Sequence, residues 1–149
     1  MTNNPTSHEI YMNEALKEAS KAYSKGEVPV GAVVVCNNQI VARAHNLTES
    51  LNDPTAHAEM QAITAATSYL GGKYLDQCVL YVTLEPCAMC AGALFWSQLG
   101  TLVYGANDPK RGYTLISKSI IHPKTIVVKG VLMDRAAELL TKFFLEKRE

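Results

Sequence analysis

The sequence lacks any excess of charge: 14 Lys and Arg balance 14 Asp and Glu, for a formal net charge of zero. A protein that only coats nucleic acid is usually basic, so the composition weighs against that class. Long hydrophobic runs are missing as well. No apolar stretch approaches the ~18–20 residues that a membrane span requires, so no membrane partner is expected. Residues 1–7 are polar and lack the positive-then-apolar pattern of a secretory leader, which leads to the expectation of a cytoplasmic protein. Internal repeats, low-complexity tracts and long linkers are also absent.

What is present is an ordinary globular composition. Hydrophobic residues make up 48% and charged residues 19%, which excludes disordered and collagen-like chains. A length of 149 residues fits one domain over 1–149. Such a chain buries roughly 68–70% of its unfolded surface and needs no disulfides to support a core. The charge is unevenly spread. Residues 1–99 carry 5 basic and 9 acidic side chains, and residues 100–149 carry 9 basic and 5 acidic ones. The C-terminal third is thus either a basic surface or simply a solvated one.

Thr6 and Glu9 have capping-box spacing. Met12, Ala15, Leu16, Ala19, Ala22 and Tyr23 then follow helical spacing, and Gly26 ends the helix. Val28–Val35 and Gln39–Ala44 read as strands, joined through Asn37-Asn38 as a hairpin. A second helix is expected from about Thr55 to Leu70, ended by Gly71-Gly72. Cys78–Thr83 suits a buried strand. Pro86 is expected in the first turn of a third helix reaching about Ser97. Thr101–Gly105 and Thr125–Lys129 are further strands, with loop or short helix over 106–124. Asp134 is expected to cap a last helix carrying Ala136, Leu139, Leu140, Phe143 and Phe144 on one face. A hairpin followed by strand–helix alternation predicts an α/β fold, a five-stranded mixed sheet with helices on both faces.

Four cysteines stand at 36, 78, 87 and 90. Cys36 and Cys78 lie in apolar strand-like runs and read as buried core thiols without a role. Cys87-Ala-Met-Cys90 has metal-ligand spacing, and residues three apart share a helix face. A helix N-terminus favours thiolates there. His57-Ala58-Glu59 opens the other helix. One imidazole and two thiolates give three metal ligands and leave a fourth position for water, the arrangement of a catalytic zinc. Glu59 is then better used as a proton carrier than as a ligand. A redox Cys-x-x-Cys and a closed structural zinc completed by His45 or His122 stand as alternatives. Taken singly, His8, His45 and His122 read as surface or loop residues, and Met12, Met60 and Met89 as core fillers. Phe95 and Trp96 either pack or form an interface.

His-x-Glu paired with Pro-Cys-x-x-Cys is the signature of zinc nucleobase deaminases. The sequence resembles the cytidine-deaminase-like superfamily, and within it the bacterial tRNA adenosine deaminases, from about His8 to Arg148. The stretches that carry the resemblance are Val28–Val33, Ala44-His45-Asn46, Asn52–Glu59, Thr83–Ala93 and Val103–Ala106 with Asp108 and Lys110. The closing Phe143-Phe144 also fits. Guanine deaminases tend to carry a bulky aromatic where this chain has Val30. Two regions depart from the pattern: 112–124 is shorter, and the end is less basic, with Leu145 and Glu146.

The resemblance implies a three-layer α-β-α fold, a homodimer and one zinc per chain on His57, Cys87 and Cys90. It also implies hydrolytic conversion of the wobble adenosine of tRNA to inosine by a zinc-activated water, with Glu59 carrying the proton. Asn46 would orient the base and the Ala58 amide would meet the reacting oxygen. Val30 would line the pocket, and Asp108 would contact flanking sugars unless it only forms its own turn. Lys110, Arg111, Lys147 and Arg148 are candidates for phosphate contacts in an anticodon loop. The alternatives are a zinc-dependent deaminase of a free base or nucleoside, such as guanine or cytosine, and a zinc-stabilised interaction domain.

Overall fold

The first helix forms where its cap predicts. In the computed structural model, which describes residues 6–147, Thr6 and Glu9 close a reciprocal capping box at the start of α1 (Ser7–Ser24). Met12, Ala15, Leu16, Ala19 and Ala22 form its buried stripe. Asn37 and Asn38 both take positive φ, 51° and 59°, which is the twist that joins β1 (Gly31–Cys36) to β2 (Gln39–His45) in a tight hairpin. The chain continues through α2 (Ala58–Leu70), β3 (Cys78–Leu84), α3 (Ala88–Trp96), β4 (Thr101–Ala106), β5 (Ile126–Lys129) and α4 (Met133–Lys147). Two short 3₁₀ turns, Tyr113–Leu115 and Lys118–Ile120, fill the segment before β5.

The five strands lie in the order β2-β1-β3-β4-β5. The β1 strand pairs antiparallel with β2 and β3, whereas β3, β4 and β5 run parallel. Alternation sorts the side chains. Ala32, Val34, Leu80, Val82, Leu102 and Tyr104 face a core shared with Ala62 and Ala66 of α2 and Leu94 of α3. Val33, Val35, Tyr81 and Val103 face Met12 and Ala15 of α1. The α4 helix joins that second layer through Ala136. The expected α-β-α sandwich is therefore the observed one. Gly31 is needed where α1 crosses β1, since a Cβ there would stand 2.0 Å from the carbonyl oxygen of Ala15.

The structure corrects several boundaries. The β1 strand starts at Gly31 rather than Val28, because Val30 N–H turns back to the Val28 carbonyl at 2.9 Å. The α2 helix starts at Ala58 rather than Thr55. Asp53 holds the preceding turn by accepting the Thr55 amide at 2.9 Å and hydroxyl at 2.8 Å. The α3 helix starts at Ala88 with Cys87 as its N-cap, so Pro86 precedes the helix instead of entering its first turn. The α4 helix begins at Met133, which puts Asp134 inside the first turn. Met89 is 37% exposed, so it is not the core filler expected. Trp96 is 78% exposed, and its ring meets that of Phe95 edge-on with centroids 5.6 Å apart.

The largest correction concerns Cys36 and Cys78, expected as free thiols. They are register partners across β1 and β3, with Cα atoms 4.6 Å apart, and are joined in a disulfide. Antiparallel pairing points both Cβ atoms to the same face at bonding distance, which spacing in the chain cannot reveal.

Candidate active site

Ligand pockets of open α/β sheets lie outside the carboxyl ends of the strands. Here that edge gathers the exits of β2, β3 and β4, leading to Asn46, Cys87 and Asp108. His57 is the N-cap of α2 and Cys87 the N-cap of α3, both with extended backbone. Neither side chain makes a capping hydrogen bond. They turn towards each other instead: His57 Nδ1 lies 3.6 Å from Cys87 Sγ and 3.5 Å from Cys90 Sγ. The three donor atoms all lie within 4.8 Å of one another and could hold one metal ion.

Among the described residues no fourth Cys, His or carboxylate joins the group. The His45 ring is engaged elsewhere, with Glu18 Oε1 and Lys25 Nζ each at 3.0 Å. His122 accepts the Lys124 amide at 3.1 Å and stacks near Phe95. The closed four-residue site therefore finds no fourth ligand at either position.

The electrostatics of the cluster follow from its packing. The Cys90 thiol beside Cys87 holds the Cys87 thiol down at about 3, against burial and with help from His57. The same contact and burial push Cys90 up. The neighbouring Cys87 sulfur raises His57, although burial opposes it. Glu59, in the first turn of α2, is 4% exposed. Burial pushes its carboxyl up to about 7.

A cleft of ≈ 930 Å³ opens beside the cluster. His57, Ala58 and Glu59 line it together with Val30, Asn46 and Asp108, so the residues expected to meet the base and its flanking sugars line one cavity. Asn46 is also tied into its own loop. It accepts the Thr48 amide at 3.3 Å and donates to the Val28 carbonyl at 3.4 Å. Asp108 Oδ1 accepts the amides of Lys110 and Arg111, both at 3.0 Å, so this oxygen builds the turn. Lys110, Arg111 and Lys147 line the cleft as well, whereas Arg148 lies outside the described residues.

A family model for MafB19-like deaminases matches residues 6–148. The tRNA-specific adenosine deaminase of Bacillus subtilis (strain 168) is 48% identical over 97% of this chain and 92% of its own. The chain belongs to the tRNA-specific adenosine deaminase family. A solved structure from studies of A-to-I editing by tRNA:A34 deaminases at the wobble position superposes with a TM-score of 0.81. It is 41% identical and covers 88% of this chain and 99% of its own. A guanine deaminase from Bacillus subtilis is more distant, at 34% identity and a TM-score of 0.66, covering 95% and 94%.

Two features of this deaminase's cleft escape the sequence reading. The inner wall is completed by Thr48 and Leu84 and the outer wall by Leu140, Thr141 and Phe144 of α4. Two buried glutamates also hold the walls. Glu27 is fully buried and accepts the amides of Glu49 at 3.0 Å and Ser50 at 2.6 Å, with the Ser50 hydroxyl at 2.6 Å. Glu85 does the same on the opposite side. Glu85 lies within Thr83–Ala93, one of the stretches that carry the family resemblance, and that was the signal available for it.

Proposed function

We propose that this deaminase converts the wobble adenosine of a tRNA anticodon loop to inosine and ammonia, using zinc held by His57, Cys87 and Cys90. The donor set supports that ion. Bonds of about 2.3 Å to sulfur and about 2.0–2.1 Å to nitrogen put tetrahedral N and S donors about 3.6 Å apart, matching the 3.5 and 3.6 Å separations from His57 Nδ1. Zinc, when bound, supplies Lewis acidity that can lower the pKa of a water from 15.7 to ~7.

The chain's own groups do the rest. Glu59 takes the proton of the attacking water and delivers it to N1 of adenine. A second proton leaves with the amine at C6 as ammonia, again by way of Glu59. Glu59 lines the cleft beside the ligand cluster and is 4% exposed, so one carboxyl shielded from bulk water can serve both directions of transfer. Asn46 orients the base, the Ala58 amide meets the reacting oxygen, and Val30 lines the pocket beside the base.

The observation that carries the RNA reading is the shape of the cleft. It runs from His57 and Glu59 out to Lys110, Arg111 and Lys147, a span of cations that a free base does not require. A loop adenine is already poorly stacked, so turning it inward is cheaper than from a duplex. The enzyme is proposed to act in the cytoplasm as a homodimer, with a second copy covering the exposed Trp96, Leu115 and Ile116.

The test is a side-by-side assay of the zinc-loaded chain. One sample holds an anticodon stem-loop with adenosine at the wobble position; the others hold free guanine, cytosine, adenosine and cytidine. Inosine in the stem-loop alone is expected. Ammonia from a free base with an untouched stem-loop would transfer the assignment to the small-molecule reading.

A further inference from the structure

Glu85 stands where β3 leaves the sheet, just ahead of Cys87, and is 3% exposed. Nothing in the chemistry above uses it. Its Oε1 accepts the Asp108 amide at 3.0 Å, and its Oε2 accepts the Thr114 amide at 3.1 Å and hydroxyl at 2.6 Å. The backbone ties the same two segments together. Glu85 N–H donates to the Ala106 carbonyl at 2.8 Å, and Tyr113 N–H donates to the Pro86 carbonyl at 2.9 Å. Cys87 and Gly112 form an antiparallel bridge. A Cβ at Gly112 would stand 2.4 Å from the carboxyl atoms of Glu85, so the loop backbone rests directly on the carboxylate.

The span between the two anchored residues, 108 and 114, contains Lys110 and Arg111. Asp108 passes the constraint on, because its own Oδ1 accepts both of their amides at 3.0 Å. One line of hydrogen bonds therefore runs from the strand end that carries Cys87 to the cations at the rim of the cleft.

We infer that Glu85 is a positioning residue that fixes the 108–111 turn, and so sets the distance between the phosphate-contacting cations and the reacting base. The inference rests on the reading of the cleft as an RNA site. A neutral amide at 85 retains one acceptor oxygen and turns a donor towards a loop N–H, so the anchors cannot all be satisfied.

The experiment uses the whole zinc-loaded chain as wild type, Glu85→Gln, Thr114→Val and Thr114→Ser. It measures zinc content, amide hydrogen exchange over 106–115, and KM and kcat on the anticodon stem-loop at several salt concentrations. Glu85→Gln is expected to retain zinc and to exchange faster at Asp108 and Thr114. Its KM should rise roughly tenfold, as loss of a charge-assisted hydrogen bond predicts, with kcat within about threefold of wild type. Its salt dependence should also be shallower, since fewer phosphates are neutralised. Thr114→Val should move in the same direction by less, and Thr114→Ser should restore the wild-type values. If Glu85→Gln does not fold, Thr114→Val carries the comparison. Unchanged exchange over 106–115 overturns the inference. So does a loss of kcat or zinc with KM and salt dependence intact. A wild-type chain that leaves the stem-loop untouched would remove the RNA reading by itself. The exchange comparison would still decide whether Glu85 holds the turn.

Discussion

Glu59 and Glu27 are both buried carboxyls, yet their surroundings drive them in opposite directions. Burial dominates at Glu59 and raises it to about 7. At Glu27 burial also acts upward, but the hydrogen bonds from Ser50 and Glu49 outweigh it and hold the carboxyl below its usual range. Different predictions follow for each. Glu59→Ala should retain zinc and lose turnover by ~10²–10⁴, the range for a removed acid–base group; metal content and initial rates check this, and near-normal activity would sink the assignment. Glu27 is a stability group. A carboxyl with a depressed folded-state pKa contributes fully above its unfolded value and loses that contribution as pH falls through the folded value. Melting temperatures taken at falling pH, from neutrality to below the ordinary glutamate value of 4.5, should therefore drop more steeply for the wild type than for Glu27→Gln. Equal slopes would remove the role. The candidate site residues were legible in the sequence because an imidazole and a carboxyl two apart, paired with two thiols three apart, form a chemically marked pattern. Glu27 and Glu85 were not, because their partners are mainly backbone amides, and an amide carries no signature in the sequence.

At the level of elements, the order of helices and strands was readable from period and caps, whereas their first residues were not. Both site helices start later than periodicity suggests. The reason is that His57 and Cys87 occupy N-cap positions with extended backbone and use their side chains for each other. The segment over 106–124 gave no clear period, which fits its short 3₁₀ turns. The pairing of β1 with β3 lay beyond reach, and with it the disulfide. Its members are 42 residues apart in sequence, a loop whose closure is worth about 4 kcal/mol in the chain-entropy model. Reductant should lower the melting temperature of the wild type and leave a Cys36→Ser/Cys78→Ser double variant unmoved. A wild type insensitive to reductant would show that the two thiols are not joined in solution.

For the whole molecule, a formal net charge of zero conceals an arrangement. Three cations from the C-terminal third, Lys110, Arg111 and Lys147, share one cleft with the catalytic candidates from the first two thirds. Binding of an anticodon stem-loop should therefore weaken with salt despite the neutral total. Lys110→Ala should reduce the slope of log affinity against log salt by about 0.7–0.9, one phosphate's worth. An unchanged slope would place the phosphate contacts elsewhere. The sequence hinted at this basic third, but only folding could decide that its charges face the cleft.

The bond between Cys36 and Cys78 has one more consequence. It turns residues 36–78 into a covalent ring that contains His57 and the whole of α2, with the remaining chain as two tails. In strong denaturant without reductant the molecule is thus a lariat, more compact than a linear chain of its length. A protease that nicks the 46–57 loop would open the ring without releasing a fragment, and the two halves would travel together until the disulfide is reduced.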